Sequence, residues 1–470
     1  MGSPSSAGPC FDNFLIPRAE IIGCGNLSET CRHPAEPHDT AFQGSPAQAS
    51  GWLPAGGYIG SVVLLPLCRS SPFSTPPIML RLSVVLGLLA SSAFAQDLGV
   101  PTSWREFSNS RPLSQRITIA QTAINQITPQ LNSATGEFNG LTYWQSGNVW
   151  SVMANQDHSA GTTVNEASVI NNLNLVWGRW SNYDQFGYND DAMWWATAAI
   201  YAYRAYGNSQ MLSHAEQTWN HVTKYVVTAA DAAAGKNPNK PSVAIQSTCN
   251  GKTMAGAVFW QPAATSNAIN SITTGLYTAL SGFLYEYTGN STYLSAAELS
   301  ATWIQQHQLN ANDLVLDTTN ADCSTSPSSW LFTYNSGKYI EALSVLYGVT
   351  GNDSWNTLMV NILNAAVKTT AWQGSNGVIT EGASPSSDND DVGFKAILIR
   401  GLHEAWERNP TYTALTTLIH SYGDVQYNAL LELAATGSTY SSSWLGPPQA
   451  FTSWGQLAAL DVMTANIDTN

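Results

Sequence analysis

Charged residues are scarce: Asp, Glu, Lys and Arg make up 11% of 470 residues, against about 25% in an ordinary soluble domain. With 44% apolar side chains, so little charge excludes a disordered chain and predicts a large packed core. Basic residues are the scarcer kind. Eighteen Lys plus Arg stand against 32 Asp plus Glu, a formal charge of −14, and this field repels polyanions, so no nucleic-acid partner is expected. The polar surface must come from Ser, Thr, Asn, Gln and Gly, which suits an extracellular protein handling neutral, hydroxyl-rich ligands. The length allows two or three domains, although one barrel or toroid can use as much chain.

Other absences narrow the chemistry. Beyond residue 95 the histidines are His158, His214, His221, His307, His403 and His420, none in a spacing such as H-E-x-x-H, so no zinc site is indicated. There is no P-loop and no G-x-S-x-G elbow, and no cofactor is expected. Cysteine is equally sparse. Four of the six (Cys10, Cys24, Cys31, Cys68) lie in residues 1–78, leaving Cys249 and Cys323 as a lone pair expected to be bridged in an oxidising compartment.

Residues 1–78 also hold 11 of the 22 prolines and show no sustained period of 3.6 or 2, so no core is expected there. Met79-Leu80-Arg81, the apolar run Leu82 to Leu89 and Ala93-Phe94-Ala95 then follow. A charged start, a short apolar middle and a small-x-small end have the anatomy of a secretory signal peptide, too short to span a bilayer comfortably. The expectation is therefore a start at Met79, a signal peptide over 79–95, a non-folding or mis-annotated extension over 1–78, and a single secreted domain over 96–470. Asn290-Ser291-Thr292 and Asn352-Asp353-Ser354 are glycosylation acceptors consistent with secretion. The last residues carry no apolar tail, so no stable membrane anchor is expected; a monomer is expected.

From about residue 114 the apolar spacing is three and four, as in Ile269, Ile272, Leu276, Leu280, Phe283 and Tyr287, or Trp355, Leu358, Met359, Ile362, Leu363 and Ala366. Each stripe predicts a helix with one buried face. Tyr206-Gly207-Asn208-Ser209, Thr288-Gly289-Asn290-Ser291 and Thr350-Gly351-Asn352-Asp353 read as tight helix-to-helix corners, with Gly ending one helix and Ser or Asp capping the next; Arg408-Asn409-Pro410-Thr411 is a looser fourth. Twelve helices are expected, near 114–131, 147–158, 164–181, 188–206, 210–233, 267–287, 291–308, 335–350, 353–370, 389–408, 411–434 and 453–466. Two architectures are open, a solenoid and a closed double ring, and corner glycines at unequal intervals do not fit a solenoid of fixed repeat. They favour an all-α, closed (α/α)6 toroid with functional loops at one end.

The helix opening near Asn189 has almost no polar face, since Met193 to Tyr203 is apolar throughout except Thr197; an inner-ring position is predicted. Asp190 and Asp191 stand at its entrance. Two acids there suit the positive end of the helix dipole. They equally suit a glycosidase, because neighbouring helical carboxyls lie roughly 5–6 Å apart, close to the ~5–5.5 Å used by retaining enzymes. In that reading one stays ionised, and the other is held protonated by its neighbour's charge and by aromatic walls.

Gly187-Tyr188-Asn189-Asp190-Asp191-Ala192-Met193-Trp194-Trp195 closely resembles the Asp-Asp signature of glycoside hydrolase family 76, the endo-α-1,6-mannanases. Gly256-Ala257-Val258-Phe259-Trp260-Gln261, Asn267-Ala268, Phe332-Thr333-Tyr334-Asn335-Ser336-Gly337 and Gly393-Phe394-Lys395-Ala396-Ile397-Leu398-Ile399-Arg400 extend the resemblance over about 114–435. What it implies is an (α/α)6 barrel that cleaves α-1,6-mannosidic bonds in mannan with retention, Asp190 as nucleophile and Asp191 as acid/base. Some relatives act as cell-wall transglycosylases, and a non-catalytic mannan-binding protein is a further alternative. Substrate-binding candidates are Tyr188, Asn189, Trp144, Trp150, Trp260, Tyr334, Asn335 and Asp388, the aromatics as surfaces for the apolar face of a pyranose. Asp388-Asn389-Asp390-Asp391 either caps its helix or meets a mannose hydroxyl. The spacing does not fit a calcium loop, which would put an oxygen ligand at Val392 and an acid at Ile399.

Overall fold

The computed structural model describes residues 96–470; the expected extension over 1–78 and the signal peptide over 79–95 lie outside them. In chain order the helices are α1 (Leu113–Ile127), α2 (Tyr143–Ala160), α3 (Glu166–Arg179), α4 (Asn189–Tyr206), α5 (Ser209–Val222), α6 (Ala229–Ala234), α7 (Ser271–Thr288), α8 (Ser291–His307), α9 (Thr333–Thr350), α10 (Asp353–Lys368), α11 (Asp391–Arg408), α12 (Thr413–Leu433) and α13 (Ser453–Ala465). Helices α2, α4, α7, α9, α11 and α13 pack each on the next, and α13 returns to α2, closing an inner ring. The remaining long helices lie outside, each against an inner partner. This is the (α/α)6 toroid; the short α6 sits in the connection between α5 and α7.

Burial follows from that arrangement. The outer α10 buries one stripe, Leu358, Met359, Ile362, Leu363, Ala366 and Val367 among it, as its sequence predicts. The inner α7 departs from its expected single face: every residue from Ser271 to Leu284 is buried. Thr273, Thr274, Gly275, Thr278, Ser281 and Gly282 look polar or neutral in sequence, but small side chains let neighbouring helices approach from the sides. Threonine and serine hydroxyls are satisfied within the helix, Thr278 donating to the Thr274 carbonyl at 2.8 Å and Ser281 to that of Tyr277 at 2.6 Å. The closest approach in the ring joins α9 to α11, where a Cβ on Gly401 would lie 2.0 Å from the Gly337 carbonyl oxygen.

The corners behave as expected at one end only. Gly207, Gly289 and Gly351 take left-handed conformations, φ 68°, 68° and 64°. The capping residue is the asparagine after each glycine, not the expected Ser or Asp. Asn208, Asn290 and Asn352 accept from the N–H of Gln210, Thr292 and Ser354. The looser fourth corner has no left-handed glycine, and α12 begins only at Thr413. The helix expected over 210–233 breaks after Val222 into a tight turn and the separate α6. Helix α2 starts four residues earlier than expected, because Thr142 and Gln145 form a capping box ahead of Tyr143.

Part of the scarce charge lies at the centre of the ring. Lys338 donates to Glu341 at 2.6 Å, and the Tyr201 hydroxyl reaches the same carboxylate at 2.5 Å. Arg400 makes a forked pair with Asp461, two bonds of 2.8 Å, and reaches Asn148 at 2.5 Å. The Lys338–Glu341 bond lies within α9, while the Tyr201 bond ties α9 to α4 and the Arg400 bonds tie α11 to α13 and α2. Three short hairpins decorate the connections; in one of them Cys249 lies opposite Lys252 and is bonded to Cys323, as the sequence predicts.

Gly401→Ala drives a methyl into the backbone of α9, and overpacking of this kind costs about 1–3 kcal/mol. The expected outcome is a lower urea midpoint with an unchanged denaturant slope; an unaltered midpoint would show that the inner helices can separate freely.

Candidate active site

The start of α4 is fixed by an extended segment that runs before α7. Asn189 donates its backbone N–H to the Trp260 carbonyl at 2.8 Å and its side-chain amide to the Phe259 carbonyl at 2.7 Å. Trp260 is thereby held over the next residue. Its indole N–H lies 3.0 and 2.9 Å from the two oxygens of Asp190, while the Tyr188 ring packs on it at 4.9 Å between centroids. Asp190 also accepts the N–H of Asp191 at 3.0 Å. The Asp191 carboxyl accepts no hydrogen bond among the described residues, and its chain neighbour therefore takes both nearby donors.

That asymmetry separates two adjacent acids. Burial pushes the Asp190 carboxyl up to about 7, against the pull of the Asp191 N–H and the Trp260 indole. Burial pushes Asp191 well above the usual carboxylate range, and the charges of Asp190, Asp390 and Asp184 push it the same way. The donors at Asp190 favour its charged form, and no donor does the same for Asp191, so Asp190 is the better placed of the two to ionise. The positive end of the α4 dipole acts in the opposite direction, but its ~0.3–1 kcal/mol is smaller than the effect of burial and like charge.

Around the pair stand aromatic rings and further acids. Trp144, two residues beyond the capping Thr142 of α2, packs on Trp194 at 5.5 Å and on Phe394 at 6.0 Å; its indole donates to Asp390 at 3.3 Å. Tyr334 stacks on Phe394 at 3.7 Å with 15° between planes. Gln145 donates to Asp388 at 3.0 Å, and burial pushes the Asp388 carboxyl up to about 6. Asn335 donates to Asp317 at 3.0 Å, whose carboxyl is raised by burial. Glu381 accepts from the N–H and hydroxyl of Thr333 at the start of α9, and burial pushes it up to about 7.

Of the substrate-binding candidates, Tyr188, Trp260, Tyr334 and Asp388 are half-buried around the acid pair. Trp150 is a correction: it is fully buried, packs on Phe138 at 4.9 Å and donates to the Gly136 carbonyl at 2.9 Å. The early start of α2 places it two turns below the mouth, where it is core. Asn189 and Asn335 are buried, their amide NH2 groups donating to the Phe259 carbonyl and to Asp317 while their side-chain oxygens have no partner among the described residues. They shape the site from behind. Asp317, Glu381 and Phe394 are not singled out in the sequence, whereas Asp390 belongs to the Asp388–Asp391 run read there as a cap or a mannose-hydroxyl partner. Phe394 lies within a quoted motif, but Asp317 and Glu381 each follow a short apolar run and carry no spacing signal.

Among the described residues the one His-containing acidic cluster is His403, Glu407 and Asp468, with His403 2.7 Å from Asp468. It lies toward the C-terminal end of α11, away from Asp190. Burial opposes a charge on His403, and Asp468 and Glu407 overcome it, raising the imidazole to about 9. A cationic imidazole offers no lone pair to a metal, and this cluster reads as an ion pair.

Residues 243–470 match the family model "Glycosyl hydrolase family 76", a stretch that begins after Asp190 and Asp191. The mannan endo-1,6-alpha-mannosidase of Saccharomyces cerevisiae is 32% identical over 140 residues, 28% of this chain and 30% of that protein. Its namesake from Candida glabrata is 28% identical over 170 residues, 34% and 37% of the two chains. The chain thus spans about a third of the curated relatives it matches. An inactive variant of a Salegentibacter alpha-1,6-mannanase in complex with alpha-1,6-mannotriose superposes with a TM-score of 0.62 at 17% identity, covering 76% of this chain and 100% of that one. Dfg5 from Chaetomium thermophilum in complex with glucosamine superposes with a TM-score of 0.59 at 16% identity, covering 76% and 90%. These likenesses show the shared toroid.

The acid pair also predicts a pH dependence of stability. A carboxyl whose folded pKa lies above its unfolded value of about 3.9 binds more protons in the native state, so the stability it contributes is complete below about pH 4 and lost as pH rises. For Asp190 that loss runs up through about 7. Asp190→Asn and Asp191→Asn are expected to melt at higher temperature than the wild type at pH 8, with a smaller gain at pH 5. Equal melting curves at both pH values would show that the pair is not strained.

Proposed function

We propose, for a chain whose residues 243–470 belong to glycosyl hydrolase family 76, that it cleaves α-1,6-mannosidic bonds of mannan with retention of configuration, and that residues 96–470 form its one catalytic unit. The observation that carries this reading is the unequal solvation of two adjacent acids: Asp190 holds three hydrogen-bond contacts from two donors, and Asp191 holds none among the described residues. Ionised Asp190 attacks the anomeric carbon. The bond to the leaving oxygen breaks as Asp191 gives that oxygen its proton, leaving mannose esterified to Asp190. Asp191, now a carboxylate, takes a proton from water, whose oxygen attacks the same carbon and frees Asp190. Both acids end as they began.

The half-buried rings of Tyr188, Trp260 and Tyr334 are suited to the apolar face of the sugar, and Asp388 and Asp390 to its hydroxyls. An extracellular setting is supported by the Cys249–Cys323 bridge and by exposed Asn290 and Asn352 at helix corners. No described helix is long and apolar enough to cross a membrane.

Purified protein given α-1,6-mannan is expected to release new reducing ends whose first-formed anomer retains the α configuration by proton NMR. Asp190→Asn is expected to abolish release, and Asp191→Asn to cost about 10²–10⁴-fold; full activity in Asp190→Asn would overturn the assignment. Longer products on adding an acceptor oligosaccharide would assign transglycosylation instead. Binding without turnover would assign a lectin-like role. Trp260→Phe keeps the ring and removes the donor to Asp190, a charge-assisted bond of about 1.5–3 kcal/mol. The acid limb of its kcat/KM profile is expected to move up by about 1–2 pH units, which a purely structural role for Trp260 would not produce.

A further inference from the structure

Among the described tryptophans, Trp330 alone leaves about half its surface in water, 49% exposed. Most of the others are buried or packed against the core. An exposed indole on a braced support marks a contact surface, and Trp330 is braced. Its backbone N–H closes a turn onto the Pro327 carbonyl at 2.9 Å. The segment before it is tied back where Thr318 donates its N–H to the Ser326 hydroxyl at 3.1 Å and Ser326 returns its own to the Thr318 carbonyl at 3.3 Å. Cys323 anchors the same segment to Cys249.

Trp330 is also continuous with the candidate site. Its ring lies 6.3 Å from Phe332, Phe332 lies 5.5 Å from Phe394, and Phe394 packs on both Tyr334 and Trp144. The line of rings therefore runs outward from the acids to an uncovered indole. The side chain of Asp322, on the same loop, is occupied by Ser324 and Asn267. Ser324, Thr325, Ser328 and Ser329 precede Trp330 in this segment, so the chain beside the indole is rich in hydroxyls.

We infer that Trp330 is an outer platform for a neutral polysaccharide, stacking on a sugar ring of the chain beyond the units held next to Asp190 and Asp191, so that the protein prefers polymer over short oligosaccharide. This rests on the mannan reading above. Such a contact is equal in ground and transition states, so it lowers KM and leaves kcat unchanged.

The test compares Trp330→Ala and Trp330→Phe with the wild type on polymeric α-1,6-mannan and on α-1,6-mannotriose. Trp330→Ala is expected to raise KM for the polymer about three- to tenfold, with kcat, mannotriose turnover and the melting temperature unchanged, and Trp330→Phe to restore most of the loss. An unchanged KM for polymer, or an equal loss on both substrates, overturns the platform. If the wild type turns over neither substrate, the hydrolase reading fails instead, and retardation of wild type against Trp330→Ala in a mannan-containing native gel still decides whether Trp330 binds the polymer.

Discussion

Ring closure is the constraint from which the site follows. Six inner helices run the same way, each returned to the starting end by an outer partner, so their N-termini gather at one mouth. The contacts there show it: Asn189 of α4 meets the segment before α7, Gln145 of α2 meets Asp388 before α11, Thr333 of α9 meets Glu381, and Ser453 of α13 donates to the Asn139 carbonyl. Unsatisfied N–H groups and positive dipole ends converge where the chain places its acids. The same closure demands that inner helices be narrow, which explains Gly337 against Gly401 and the run of small residues in α7.

The acids at the mouth are held together despite their own electrostatics. Asp190, Asp191, Asp388 and Glu381 all sit above their ordinary range, and burial is the leading cause in each. Helix dipoles soften this without reversing it. Only local donors distinguish one acid from another, and here the distinction comes from Trp260, itself positioned by Asn189. Stability given up in this way is what functional clusters characteristically show.

Helix existence, the corners and the ring were legible in the sequence because they depend on local period and on left-handed glycine. Inner burial of α4 was legible because its residues are bulky and apolar; that of α7 was not, because small hydroxyl residues bury as completely while looking polar. The start of α2 was missed through its capping box, and that shift turned Trp150 from a candidate contact into core. Asp190 and Asp191 were conspicuous as neighbours at a helix start. Asp317 and Glu381 arrive from connections 126 and 190 residues downstream of Asp191, and no periodicity announces a contact made only by folding.

The charges sealed inside the ring have an implication for descent. Lys338 with Glu341 and Tyr201, and Arg400 with Asp461 and Asn148, are each satisfied only as a set. Losing one member strands its counterpart away from water, whereas exchanging the whole set for apolar residues of equal volume can be neutral. Sequences that diverge from this one must therefore keep these positions intact or replace them in concert, so the middle of the barrel should drift in jumps while the outer helices change one letter at a time.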